Sequence, residues 1–188
     1  MPIETTFREA QAILAGAGVR FDTGLKSDEF ARIEQSYELC FPPDLREFLS
    51  TALPVSENWL DWRGADDKQI RDALNWPFEG ICFDIEHNAF WLDVWGPRPH
   101  RLLDAFEVAR CAIATAPKLI PICGHRYLPA TPCEAGNPVF SVYQTDSIYY
   151  GANLIDYLHN EYREAFGHRG YGPSHTPRRI EFWAQFEE

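Results

Sequence analysis

Proline sets the outer limits on how this chain can fold. There are 14 prolines in 188 residues. Each lacks a backbone donor and fixes φ, so helices and central strands usually stop at one. The adjacent Pro42 and Pro43 end one helical run, and Pro43 can open the next, where a missing N–H does no harm. Pro54 ends that second run. Pro117 and Pro121 bracket a short apolar strand, Leu119 to Ile122, and the proline-rich stretch from His125 to Pro138 reads as loop.

Periodicity assigns the elements between these breaks. Phe7, Ala10, Ile13 and Leu14 recur at helical spacing before Gly16 and Gly18 stop them. Ser27 is placed to cap a helix through Phe30, Ile33 and Tyr37, and Leu45, Phe48 and Leu49 form the stripe of a third. Trp59, Leu60 and Trp62 suggest a short strand ending at Gly64. Asp66 to Trp76 reads as a helix with Ile70, Ala73 and Leu74 inward. Ile81 to Val94 is dense in β-branched and aromatic residues and reads as a hairpin turning at His87-Asn88. A helix is expected from about Arg101 to Ala116. A second hairpin pairs Val139–Val142 with Ser147–Tyr150 around Gln144 to Asp146, and Asn153 caps a last helix from Leu154 to Phe166.

Helices and hairpins mix without a regular strand–helix–strand alternation, which predicts an α+β fold with helices packed on a twisted, mainly antiparallel sheet. Residues 1–166 are expected to form a single domain. Residues 167–188 read as a Gly/Pro/His-rich extension whose closing rings, Phe182, Trp183 and Phe186, pack on the body or, as a lesser alternative, dock a partner.

Composition narrows the partners. Hydrophobic residues are 45% and charged residues 24%, enough for a core without staples. The net charge is −11, with the acidity concentrated in the first hundred residues. No basic face exists to displace counterions from nucleic acid, so no nucleic-acid partner is expected. A cationic protein partner suits the field, and so does solubility alone. No apolar run reaches the length of a membrane helix, so no membrane partner is expected. The start MPIETTFREAQ lacks the pattern of a secretory signal. Five cysteines without a CxxC pair read as reduced thiols in a cytoplasmic protein.

The chain carries no Gly-rich phosphate loop, no GxSxG elbow and no HExxH. Cys123, His125 and Cys133 lack the two close pairs of a structural zinc site. The cysteines sit in apolar contexts that disfavour the thiolate. No metal, cofactor or catalytic residue is therefore expected. Two polar sets remain. His125, Arg126 and Asp146 flank strand ends, where Asp146 could orient His125 or pair with Arg126. That set is a structural ion pair, a partner site or, as a lesser alternative, the centre of a hydrolase. Glu79, Asp84, Glu86 and Asp93 lie along the ring-rich run with Trp91 and Trp95. An acidic face with embedded tryptophans suits protein binding, because Trp anchors interfaces. Solvated carboxylates would leave the same trace. The residues assigned to a partner-binding face are Trp59, Trp62, Trp91, Trp95, His125, Arg126 and Asp146.

The run from Ile33-Glu34 to Phe41-Pro42-Pro43-Asp44-Leu45-Arg46-Glu47-Phe48-Leu49 resembles the opening of the SUKH superfamily. Leu119-Ile120-Pro121-Ile122 is similar to its central strand. Asn137-Pro138-Val139-Phe140-Ser141-Val142, with Asp146 and Tyr149-Tyr150, is similar to its late hairpin, and Leu154 to Leu158 to its closing helix. The chain departs from the family at Leu39-Cys40-Phe41 and Ala52-Leu53-Pro54, where Leu-Gly and Asn-Gly are usual, and in the tail after Gly167. The resemblance implies helices against an antiparallel sheet. It also implies a non-enzymatic protein-binding role, either an immunity protein that neutralises a toxin, such as a basic nuclease, or a regulatory scaffold like the cell-wall assembly regulator.

Overall fold

The structure, a computed structural model, describes residues 6–167, 170 and 172–186. Its class is α+β, with seven α-helices and two antiparallel sheets among the described residues. The N-terminal half opens with α1 (Phe7–Gly16), β1 (Phe21–Thr23), α2 (Ser27–Tyr37), α3 (Pro43–Thr51) and β2 (Ala52–Pro54). β1 and β2 pair as a two-stranded ribbon, Phe21 opposite Pro54. Two long helices follow, α4 (Asp67–His87) and α5 (Leu102–Ile113). The main sheet is a four-stranded meander of β3 (Leu119–Cys123), β4 (Arg126–Pro129), β5 (Val139–Tyr143) and β6 (Asp146–Gly151). α6 (Leu154–Glu161) and the short α7 (Arg163–Phe166) complete the body.

Side-chain alternation along the strands divides the core in two. Ile120, Ile122, Leu128 and Val139 point to one face, where they join Phe30, Phe41, Phe48 and Trp59 from the N-terminal half and Tyr157 from α6. Leu119, Tyr127, Phe140 and Val142 point to the other face and meet Ile81 and Ile85 of α4 and Ala105 and Ala109 of α5. The last residues close this second core. Trp183 and Phe186 are buried, and the Trp183 indole N–H donates to the Pro117 carbonyl at 2.7 Å. The rings expected at helical spacing form a single 3-10 turn, Trp183–Gln185. The tail is also held by its backbone. Asp156 accepts from the Ser174 N–H at 3.0 Å, and Asn160 donates to the Gly172 carbonyl at 2.8 Å.

Most expected elements appear close to their predicted limits, one cap is displaced by a residue, and three assignments fail. Ser27 is the first residue of α2, and the cap position is Lys26. Trp59 to Trp62 is not a strand, and Trp59 makes one isolated bridge, to Cys123. β4 lies inside the stretch read as loop. The largest correction is α4, which continues through Pro77 to His87, so no hairpin spans Ile81 to Val94. Proline at position 77 leaves the carbonyl of Ala73, four residues earlier, without its helical donor. The Tyr127 hydroxyl donates to that carbonyl at 2.9 Å, so the sheet supplies the bond the helix lacks. Further along, an added Cβ on Gly80 would stand 2.7 Å from the Gln144 Cα, which is why this position is glycine. One turn later the buried Asp84 carboxylate accepts from the Thr145 N–H at 2.8 Å and the Thr145 hydroxyl at 2.6 Å. The β5–β6 turn is thus a built seat for the helix.

The cysteine expectation also fails. Cys40 and Cys133 form a disulfide with Cα atoms 6.2 Å apart, leaving Cys82, Cys111 and Cys123 as thiols. Sequence separation hid the pair, because the loop around Cys133 folds back over the start of α3. There the Gly136 N–H donates to Asp44 at 2.8 Å.

Candidate functional site

The seven residues assigned to a partner face do not form one surface. Trp59 and Trp62 are core, at 7% and 4% exposure. Trp59 stacks on Phe48 and donates to the Tyr162 hydroxyl at 3.0 Å, and Trp62 meets Phe41 edge-on. Neither ring can reach a partner without unfolding that core. Trp91 and Trp95 are half-buried in the segment after α4, T-shaped to each other at 5.2 Å. The Trp91 indole donates to the Gly96 carbonyl at 2.7 Å, and Trp95 rests edge-on against Phe90.

His125, Arg126 and Asp146 are likewise separated. β5 lies between β4 and β6, so Arg126 is opposite Ser141 and two strands from Asp146. Arg126 pairs instead with Glu161 of α6 at 3.0 Å, donates to the Ser141 hydroxyl at 2.7 Å and lies 3.9 Å over the Tyr150 ring. Asp146 is exposed at the hairpin end. His125 contacts the Tyr143 ring. Burial, with the neighbouring Arg126 charge adding to it, lowers the His125 pKa. Among the described residues no hydrogen bond joins His125 to Asp146, so the pair considered for a hydrolase is not assembled. Cys123 is no nucleophile either, because burial pushes its thiol up to about 11. Among the described residues no three His, Cys, Asp or Glu side chains converge as metal ligands, and no helix is long and apolar enough to cross a membrane.

The structure instead presents a surface on α4. The helix buries Ile70 in the core of the N-terminal half and Pro77, Ile81, Asp84 and Ile85 on the side toward the sheet. On the opposite side stand Asp72, Trp76, Glu79, Phe83 and Glu86, all exposed. Their spacing of four, three, four and three residues keeps them within about 80° at about 100° per residue. The stripe therefore alternates acid, ring, acid, ring, acid for four turns. Trp76 is 43% exposed and Phe83 45%, unusual for rings of this size. Local contacts order the stripe. Asn75 donates to Glu79 at 2.8 Å, and the Phe83 ring lies 4.4 Å from that of His87.

Sequence reasoning missed Trp76 and Phe83. It did name Glu79 and Glu86 as an acidic face with rings, but on a strand with Trp91 and Trp95. The missed signal was the helical period continuing past Pro77. Ending the helix at Trp76 and reading the ring-rich run as strand put the right carboxylates beside the wrong rings. Comparison with protein-family models, with curated proteins and with solved structures gives no match for this chain.

Proposed function

We propose that this chain is a non-enzymatic protein-binding domain that docks a basic protein partner on the outer stripe of α4. The observation that carries this reading is the alternation of carboxylates with Trp76 and Phe83 along one ordered helix face. Exposed rings held on a rigid helix supply anchoring area at low entropic cost, and flanking acids steer and orient a cationic surface. The excess charge of −11 extends that steering beyond the contact. Within this reading, an immunity protein that occludes a basic toxin, as the SUKH resemblance suggests, is the form we favour. No match to a family model supports that kinship, so the reading rests on the surface itself. The disulfide bears on where the chain works. A cytoplasmic site of action would keep Cys40 and Cys133 reduced, whereas an oxidising compartment would keep them bonded.

The test pairs capture with surface variants. Tagged full-length protein is used as bait in lysate of its own cells, and the retained partner is then purified for kinetics. The expected partner is basic. The Trp76→Ala/Phe83→Ala double variant should lose about 2 kcal/mol or more of binding, roughly 30-fold in Kd. Glu79→Lys/Glu86→Lys should slow association and flatten its salt dependence. All four side chains are exposed, so the fold is retained and circular dichroism checks it. A partner held equally well by the ring variant would overturn the proposal.

A further inference from the structure

We propose that the groove between α4 and α5 binds a small organic anion with a flat apolar body, an aryl carboxylate being the simplest case. The groove encloses about 510 Å³, within the range of small-ligand sites. Phe78 of α4, Ile113 of α5 and Leu119 of β3 give it apolar walls, and the tail contributes Trp183. Trp183 is fixed by its indole bond to Pro117, so this part of the lining is preformed.

The charge of the lining is opposite to that of the protein. Arg71, Arg110 and Lys118 line the groove against a single carboxylate, Asp72, which Lys68 already holds at 2.5 Å. The two guanidinium groups are laid on rings. Arg110 lies 4.5 Å over Phe78, and Arg71 lies 5.3 Å over Tyr37. Stacking keeps each cation along the wall while leaving its N–H edges able to donate. Lys118 donates to the Tyr37 carbonyl at 3.1 Å. Each cation also has an acidic neighbour outside the lining: Asp67 for Arg71, Glu107 for Arg110 and Glu38 for Lys118. All three pairs are exposed, and exposed pairs are weak. An incoming carboxylate can therefore compete for these donors, while a flat ring fills the space between Phe78 and Trp183. The site stands on the α5 flank of α4, beside the acidic stripe, and does not depend on the protein-binding reading.

The test is a titration of the full-length protein by two-dimensional amide NMR with three probes. Naphthoate carries both features, naphthylmethanol only the flat body, and acetate only the charge. Naphthoate should shift the Trp183 indole, the Asn75 side-chain amide and the Lys118 amide saturably. Raising the salt should weaken it. Arg110→Ala/Lys118→Ala should weaken it by about tenfold or more while leaving naphthylmethanol unchanged. Both side chains are largely exposed, and the variant's spectrum reports directly on its fold. No saturable shift, shifts at other residues, or wild-type binding of naphthylmethanol as tight as that of naphthoate would each overturn the proposal. The wild-type salt series decides the charge argument even if the variant is perturbed.

Discussion

The two faces of the four-stranded sheet are closed by different means. The face toward the N-terminal half is tied down at many points. The Cys40–Cys133 disulfide joins the end of α2 to the loop before β5. Arg63 reaches Glu29 through two nitrogens, at 2.7 and 3.0 Å, and the carbonyls of Thr23 and Gly24 at 2.9 and 3.1 Å. Gln11 donates to the Phe48 and Ala52 carbonyls at the end of α3. The opposite face is covered by α4, α5 and the tail, seated by a few specific contacts at Tyr127, Gln144 and Thr145. Trp76, Phe83, Val94 and Leu103, all exposed, belong to the elements of this second layer. So does the cation-lined groove. The difference is one of bonding: one layer spends its polar groups on holding the chain, and the other leaves large apolar side chains exposed.

The strongest way to break the comparison is to cut the covalent tie. Cys40→Ser opens a loop whose ends are 93 residues apart. The chain-entropy account gives about 4 to 5 kcal/mol for a loop of this size. Denaturant unfolding should show a loss of that order, and reductant should produce it in the wild type but not in the variant. Thiol counting on the native protein should find three free cysteines, and five after reduction. Binding through α4, measured well below the new midpoint, should be unchanged. An unfolding midpoint insensitive to both reductant and mutation would remove the disulfide from the comparison.

A smaller effect is expected on the other face from Gly80→Val. The added side chain meets backbone at Gln144 rather than a movable side-chain end. Overpacking of this kind costs about 1 to 3 kcal/mol. Unlike Cys40→Ser, it should disturb binding as well as stability, because it lifts the helix that carries the stripe. If Gly80→Val lowers stability yet leaves partner affinity intact, the stripe does not depend on the seat described above.

The same division decides what was legible in the sequence. The layer of α1, α2, α3 and α6 is built from short amphipathic helices with local stops, such as Gly16, Pro42-Pro43 and the Asn153 cap, and these were read nearly to the residue. The α4 layer is fixed by long-range contacts. Pro77 stays helical because Tyr127, 50 positions away in the chain, occupies the carbonyl that proline orphans. The tolerance for bulky and β-branched residues from Ile81 to Ile85 comes from burial against β5 and α5, which overrides local propensity. Cys40 and Cys133 meet only once the fold exists. The acidic, ring-bearing character of the candidate site was visible in composition and order. Its geometry was not, because a period of two and a period of 3.6 select different rings from the same run.

The finest test of the contrast uses acid. In the tied layer the Arg63 guanidinium, bonded side by side to the Glu29 carboxylate, and the Lys26 N–H together hold that carboxyl down to about 2, against an ordinary 4.5. A carboxyl whose folded pKa lies below its unfolded value binds fewer protons when folded. Its contribution is therefore complete above pH 4.5 and is lost as pH falls toward about 2. Asp22, also beside Arg63, is lowered in the same direction, chiefly by the Thr23 N–H. Unfolding midpoints measured from pH 6 down to the acid limit (~pH 2) should fall across this window in the wild type. Arg63→Met should lower the midpoint at neutral pH and make the acid slope shallower, because Glu29 then keeps only its bond to the Lys26 N–H. Glu79→Gln on the α4 stripe should leave that slope as it is, since the Glu79 carboxylate is held by the neutral Asn75 amide and, among the described residues, forms no ion pair. An equal acid slope in the wild type and Arg63→Met would mean that the first layer is held by its apolar contacts and disulfide, with the Arg63 cluster contributing geometry rather than stability.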